Sequence, residues 1–325
     1  MKPFSFVKAT NTRSAIDAVL KDNARFIAGG TNLLDLMKNG VMQPDKLVDI
    51  NSLPWKDITV ANGTMHIGAL ALNSTVAADK QVKELHPLLS QALLAGASQQ
   101  LRNMATVGGN MMQRTRCSYF YDTAMPCNKR NPGSGCGAIG GFNRMHAIFG
   151  ASDQCIAVHP SDMCVALTAL DATVHISGPK GERKMPFGDF HRLPGNTPEK
   201  DNNLDKGELI TGVDIPASPF TKNVYYLKVR DRASYAFALV SVAAALVIEN
   251  NIIKDARLAM GGVAHKPWRL TAAEKALIGK TPEEATFRAA ANVAMQSAKA
   301  YEYNAFKLQM APNSIVTALL KAAAV

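Results

Sequence analysis

All five cysteines of this 325-residue chain lie within residues 105–164. That segment opens on Ala105-Thr-Val-Gly-Gly-Asn110, a small-residue turn of the kind that lets backbone approach a phosphate. It closes on His159-Pro-Ser-Asp-Met163, a turn running into an apolar helix. Between the two the chain is rich in Gly, Pro, Asn and Arg, as in Arg130-Asn-Pro-Gly-Ser-Gly-Cys-Gly-Ala138. Such a stretch has little to bury, so it is either disordered or tied down by something it binds.

The spacings are Cys117-x9-Cys127, Cys127-x8-Cys136 and Cys136-x18-Cys155. They match neither the CxxC pairs of structural zinc nor the CxxCxxC run of bacterial ferredoxins. An iron–sulfur cube could collect thiolates from distant points of a loop, and four cysteines would also suit zinc. Arg114, Arg116, Lys129, Arg130 and Arg144 flank the cysteines and could offset the charge of a thiolate-ligated cluster. Cys164 sits in Ser161-Asp-Met-Cys-Val-Ala-Leu167 and reads as a small core hydrophobe. A disulfide framework is a device of small secreted domains. This chain, 47% hydrophobic and 19% charged, is long enough to bury cores without one.

The formal charge is +10, but Lys and Arg are dispersed, aromatics make up only 6%, and no nucleic-acid-reading signature occurs. An acidic partner protein or a bound anionic cofactor accounts for the charge better than nucleic acid does. No apolar run reaches the length of a membrane span. The start, Met1-Lys-Pro-Phe-Ser-Phe6, has no secretory h-region, so export would depend on a partner's signal.

Read in order, residues 12–20 predict an amphipathic helix with Ser or Thr at its start. Residues 26–28 read as a buried strand, Gly29-Gly30-Thr31-Asn32 as a turn, and residues 33–38 as the opening of a helix. Strand, glycine turn and helix N-terminus together can hold an anion. Alone, though, this reads first as an ordinary βα turn. Residues 46–50 predict a strand, and residues 58–70 a hairpin around Asn62-Gly63, with His66 on its surface. Residues 87–102 carry apolar side chains at helical spacing. After the cysteine segment come a buried helix (161–170), a hairpin (172–185), a polar loop (191–205) and a strand (207–216). Pro216 and Pro219 mark a boundary. Beyond it, residues 225–230, 237–248 and 252–263 predict antiparallel strands. Thr271-x-x-Glu274 and Thr281-Pro-Glu-Glu284 read as capping boxes ahead of helices, and residues 313–323 as the closing helix.

Taken together, these pieces resemble the FAD-binding medium subunit of the xanthine dehydrogenase group of molybdenum hydroxylases. The likeness rests on Phe26-Ile-Ala-Gly-Gly-Thr-Asn-Leu-Leu34, Ile67-Gly-Ala69, Thr106-Val-Gly-Gly-Asn110, Pro160-Ser-Asp162, Gly207-Glu-Leu-Ile210 and Tyr226-Leu-Lys-Val-Arg-Asp231, in that order along nearly the whole chain. In most of that family the Gly-Gly-Asn turn is followed within a few residues by the Ser-Asp turn. Here 48 residues stand between Asn110 and His159. The insertion resembles the [4Fe-4S]-carrying branch, to which the periplasmic aldehyde oxidoreductases belong.

The resemblance implies an α+β fold: a two-subdomain α/β FAD-binding domain (residues 1–219, subdomains about 1–55 and 56–219, insertion 111–158), then a smaller antiparallel sheet-plus-helices domain (220–325). It implies FAD bound through Ile27, Ala28, Gly29, Gly30, Thr31, Asn32, Leu33, Ala69, Leu101, Thr106, Gly108, Gly109 and Asn110, the two glycine turns converging on the diphosphate. Asp162 would accept from ribityl or ribose hydroxyls, Ile210 would pack on the flavin, and Lys228 would stand near the isoalloxazine. Cys117, Cys127, Cys136 and Cys155 would hold the [4Fe-4S] cluster. The implied partners are a molybdenum-cofactor large subunit, a [2Fe-2S] small subunit and an external electron acceptor, in a heterotrimer co-exported to the periplasm, with a cytoplasmic location as the alternative. Aldehyde oxidation would occur on the large subunit, so no general acid or base is needed here. Where some members stack an aromatic on the flavin, this chain has Ala95-Gly96-Ala97. Two other readings stay open: a self-contained flavin oxidoreductase with His159 as base, and a zinc-stabilised assembly module.

Overall fold

The computed structural model describes residues 1–324. Strands β1 (Ser5–Lys8), β2 (Ala24–Ile27) and β3 (Lys46–Asp49) form a parallel sheet in the order β1-β3-β2. The helix Thr12–Leu20 crosses over it and buries Ala15, Ile16 and Val19. Its cap is Asn11, whose side chain accepts from the Ser14 N–H while Ser14 Oγ accepts from the Asn11 N–H. This satisfies two of the end donors that a helix leaves free.

The second unit is an antiparallel sheet of β4 (Ile58–Ala61), β5 (Thr64–Gly68), β6 (Thr173–Gly178), β7 (Gly181–Pro186) and β8 (Leu209–Ile215), in the order β4-β5-β8-β6-β7. Asn62 and Gly63 both take positive φ between β4 and β5, as the tight hairpin requires. Met65, Ile67, Val174, Ile176, Val213 and Ile215 point into one core with the helices Pro87–Ala95 and Asp162–Ala169. Every residue of the second helix is buried.

The third unit is the antiparallel sheet β12-β11-β10-β9, made from β9 (Val224–Val229), β10 (Val240–Glu249), β11 (Ile252–Gly261) and β12 (Trp268–Arg269). Three helices, Thr271–Leu277, Glu284–Ala294 and Lys307–Ala323, cover one face. The other face contributes Tyr226, Ala243, Ala245 and Ala259 to the core of the second unit. Hydrophobic packing is therefore continuous from one unit to the next.

Three sequence expectations are corrected. Neither expected capping box forms. Ahead of Thr271 the cap position is Leu270, and the buried Glu274 carboxylate turns away to accept from the Leu258 N–H and Arg269 Nε. The next helix begins at Glu284 with Glu283 at its cap. The expected strand 237–248 starts at Val240, which leaves residues 230–239 as a loop.

The insertion 111–158 has one short helix, Ser118–Tyr121, and, against the expectation that it has little to bury, packs Phe120 on Leu36 and sends Ile148 and Phe149 into the core of the third unit; polar contacts complete its hold. Arg130 donates to the carbonyls of Tyr119, Phe120 and Met125. Asn128 links Gly135 and Gln154. Lys307, fully buried, donates to the carbonyls of His146 and Gly262, at 2.9 and 2.7 Å. No helix among the described residues is long and apolar enough to cross a membrane.

Candidate functional site

Three turns meet in one cleft of about 490 Å³. The first follows β2. Gly29 is imposed by contact: a Cβ there would stand 1.9 Å from the Met104 carbonyl oxygen. Gly30 has φ +72, a conformation that favours glycine. The N–H groups of Gly30, Thr31 and Asn32 find no backbone acceptor among the described residues. They are therefore left as donors for an anion. In the second turn Thr106 caps the helix Val107–Met111, its side chain accepting from the Gly109 N–H at 3.2 Å. Gly108 donates to the Ala69 carbonyl at 2.8 Å, and a Cβ on it would lie 3.0 Å from the Ala69 Cβ. In the third, Ser161 Oγ donates to Asn110 Oδ1 at 2.5 Å and accepts from the Cys164 N–H.

Of the residues expected at the cofactor, Thr31, Asn32, Leu101, Gly109, Asn110, Asp162 and Lys228 line this cleft. Ile27, Ala28, Gly29, Gly30, Leu33, Ala69, Thr106 and Gly108 sit in or directly behind the turns. Ile210 is placed elsewhere: it is buried in the core of the five-stranded sheet, opposite Ile176 of β6.

Asp162 and Lys228 form a nearly solvent-free ion pair, Nζ to Oδ2 2.7 Å, with the side chains 7% and 4% exposed. Tyr226 Oη also donates to Asp162, at 2.8 Å. Burial, and then the Asp162 charge, push the Tyr226 pKa well above its ordinary value, so the phenol stays protonated as a donor. Lys228 donates a second hydrogen bond to the Ala95 carbonyl. Its cation is thus held at the cleft wall with its counter-ion beside it. Because Ala95-Gly96-Ala97 is small, it packs directly on this pair; a Cβ on Gly96 would lie 3.3 Å from Asp162 Oδ2.

The aromatic surface of the cleft comes from the 230–239 loop. Tyr235 and Phe237 line it and remain exposed. Sequence reading missed both because it placed Phe237 at the start of a strand. Arg144 holds the loop by a two-bonded pair to Asp231, and the Arg116 guanidinium lies 5.1 Å from the Phe237 ring. Arg116 also reaches Asn32 Oδ1, Asp35 Oδ2 and Tyr121 Oη.

Cys117, Cys127, Cys136 and Cys155 border one small cavity, together with Thr115, Tyr119 and Lys129. All are free thiols. Cys164 is not among them and is fully buried in the core. Burial pushes the Cys117 thiol up to about 12 and the Cys155 thiol up to about 11. Ionising them therefore needs a local positive charge, which a metal centre provides. Among the described residues, the metal-ligand types that crowd within 4.8 Å of one another are His159–Cys164–His191 and His66–His175–Asp214, and not these four cysteines. Lys129 flanks the cavity and donates to Asp201 Oδ1 and the Pro198 carbonyl.

A third cavity, about 240 Å³, lies between the other two. It shares Arg116, Met145, Pro160, Ser161, Asp162 and Phe237 with the cleft, and Thr115 and Cys117 with the cysteine cavity. His146 borders it, with Nε2 3.1 Å from Cys117 Sγ. His159 borders it too. Its Nδ1 accepts from the Ser161 N–H, its ring packs 4.2 Å from that of His191, and burial first, then His191, hold its pKa well below the usual range.

Two outcomes follow from this geometry. Gly29→Ala should lose most bound FAD after desalting, whereas Gly188→Ala, with nothing within 4 Å of its Cβ, should retain it. Asp201 is buried, which by itself would raise its pKa, but Lys129 and Arg114 outweigh burial and hold it well below the usual carboxylate range. Its contribution to stability is therefore present above about pH 4 and lost as pH falls toward the folded-state pKa. Asp201→Asn should cost about 3–5 kcal/mol at neutral pH, by leaving Lys129 buried without a counter-ion, and should flatten the acid limb of a urea-melt series.

Residues 2–218 match the family described as the FAD binding domain in molybdopterin dehydrogenase, and residues 225–322 match the CO dehydrogenase flavoprotein C-terminal domain. The chain is 47% identical to the aldehyde oxidoreductase FAD-binding subunit PaoB of Escherichia coli (strain K12), over all of this chain and 99% of that one. It is 34% identical to the glyceraldehyde dehydrogenase medium chain of Sulfolobus acidocaldarius, over 85% of this chain and 82% of the other. Among solved structures, quinoline 2-oxidoreductase from Pseudomonas putida 86 superposes with a TM-score of 0.77 at 25% identity, covering 100% of this chain and 99% of that one. The turns that converge on the cleft and the two matched domains together assign the chain to the FAD-binding medium subunits of the molybdenum hydroxylase family.

Proposed function

We propose that this chain is the FAD- and [4Fe-4S]-binding electron-transfer subunit of a molybdenum-dependent aldehyde oxidoreductase. In this reading it takes electrons from a [2Fe-2S] small subunit and delivers them to an external acceptor, while the aldehyde is oxidised on a molybdenum-cofactor large subunit. Export to the periplasm on a partner's signal belongs to the same reading. The observation that carries the proposal is the run of cavities. The flavin cleft and the four-cysteine cavity are joined by a third, and Arg116 and Cys117, adjacent in sequence, stand on its walls. The similarity to an aldehyde oxidoreductase FAD-binding subunit supports the substrate class.

FAD supplies an exchange between two-electron and one-electron chemistry, and a [4Fe-4S] centre a one-electron relay. The chain's own residues bind and orient. The free N–H groups of residues 30–32 and the Thr106–Asn110 turn cradle the diphosphate. The Asp162–Lys228 pair keeps a fixed cation and anion at the cleft wall. Phe237 offers a ring face, steadied by Arg116. The four thiolates hold the cluster.

The wide spacing of the cysteines favours a cluster over zinc, since sulfurs each about 2.3 Å from one ion stand less than about 4 Å apart. The self-contained flavin oxidoreductase would need His159 as a base. That ring already accepts from the Ser161 N–H and packs against His191, which leaves it a structural part of the turn.

An absorption spectrum, with iron, sulfide and FAD analysis of the assembled complex, tests the reading. Beside FAD, iron and sulfide are expected in equal amounts and in excess of what the [2Fe-2S] partner holds. Cys117→Ser should lose that excess iron, and Cys164→Ala should leave it unchanged. Zinc in place of the excess iron, or flavin with no iron beyond the partner's, would overturn the cluster assignment.

A further inference from the structure

The outer face of the five-stranded sheet carries a second cluster of ligand-type side chains, unrelated to the cleft. His66 on β5, Asp214 on β8 and His175 on β6 come from three adjacent strands. His66 stands directly opposite Asp214, and His175 pairs with Gly212, two residues before Asp214 on the same face. Their neighbours Met65, Ile67, Val174, Val213 and Ile215 fill the core on the other side, so alternation along the strands commits these three outward. The Asp214 carboxylate bridges the two imidazoles, Oδ1 to His66 Nδ1 at 2.7 Å and Oδ2 to His175 Nε2 at 2.5 Å. The rings meet edge to face with centroids 5.2 Å apart, and one ligand atom from each residue lies within 4.8 Å of the others.

The site also has built-in room. A Cβ at position 212 would come within 2.5 Å of His66 Cε1, so only glycine there admits this ring. The side chains of His66, His175 and Asp214 are 39%, 22% and 20% exposed, which leaves the point where they converge open to water. The other charge facing them is Lys184 on β7, with Nζ 3.6 Å from Asp214 Oδ2. Its side chain is 64% exposed and free to swing away.

Two imidazoles and one carboxylate, with the remaining directions open to solvent, are the donor set of a borderline divalent ion and not of magnesium or calcium, which seek oxygen. We propose that His66, His175 and Asp214 form an accessory site for a divalent transition-metal ion of the zinc class. On binding, each imidazole presents a lone pair at the nitrogen now facing the carboxylate, and its ring proton moves to the other nitrogen. The ion takes over the bridging role and displaces the Lys184 ammonium. The site would pin β5, β8 and β6 together on the face opposite the core, and it stands independently of the flavin and cluster assignment.

Equilibrium dialysis of the cofactor-loaded complex against Zn²⁺, with metal analysis, tests this. Wild type should bind one zinc per chain more than His66→Gln or His175→Gln, with FAD and iron unchanged. Zinc should also raise the melting temperature of wild type and of neither variant. Mg²⁺ should not compete. Equal zinc uptake by wild type and both variants, no uptake by wild type, or equal competition from Mg²⁺ would overturn the proposal. FAD content reports folding, so a variant that loses flavin is set aside and the other decides.

Discussion

The Asp162–Lys228 pair is where the parts of this molecule are joined at the cleft. Asp162 stands in the first turn of a wholly buried helix, where the helix dipole favours a carboxylate. Lys228 and Tyr226 project from the same face of β9, in the last sheet of the chain, and both close on it. A buried ion pair is weak as a source of stability, but removing one partner leaves an uncompensated charge. That asymmetry fixes the register between the C-terminal sheet and the turns that form the cleft. The core that runs from Ile67 and Val213 to Ala243 and Ala259 supplies the non-directional part of the same junction.

The insertion depends on that junction. It anchors itself by burying Phe120 against Leu36 and Ile148 and Phe149 in the C-terminal core, and charged side chains on backbone carbonyls complete its order, Arg130 within it and Lys307 from the C-terminal helix. Burial drives the Lys307 pKa down to about 7, so its two carbonyl acceptors hold a group that the interior discourages from being charged. Such a segment suits a site assembled around a bound centre. Its links to the cleft are few and specific: Arg116 to Asn32 and Phe237, and Arg144 to Asp231.

What the sequence disclosed follows from which constraints are local. Gly29, Gly30 and Gly108 were legible because a turn that admits no Cβ leaves a mark at that very position. The grouping of four cysteines, and the separation of Cys164 from them, were legible from the composition of the surrounding run. Pairings across the fold were not. The resemblance puts Lys228 near the flavin, but its buried partner Asp162 lies 66 residues away in sequence. His66 read as a lone surface histidine because Asp214 is 148 residues distant. The Thr271–Glu274 capping box failed because Arg269 and the Leu258 N–H offer that carboxylate stronger partners than a helix end. Phe237 is not separable in sequence from the strand that begins at Val240, because an aromatic ahead of an apolar run looks the same whether it enters a sheet or turns toward a cleft.

On the function proposed above, one chain holds a flavin and an iron centre on either side of the Arg116–Cys117 wall. Anomalous diffraction from crystals of the assembled complex, collected across the iron edge, tests it most directly. The account predicts an iron peak inside the cavity bordered by Cys117, Cys127, Cys136 and Cys155, with flavin density in the cleft beside Asp162 and Phe237. A zinc-edge peak in that cavity, or iron confined to the partner subunits, would contradict it.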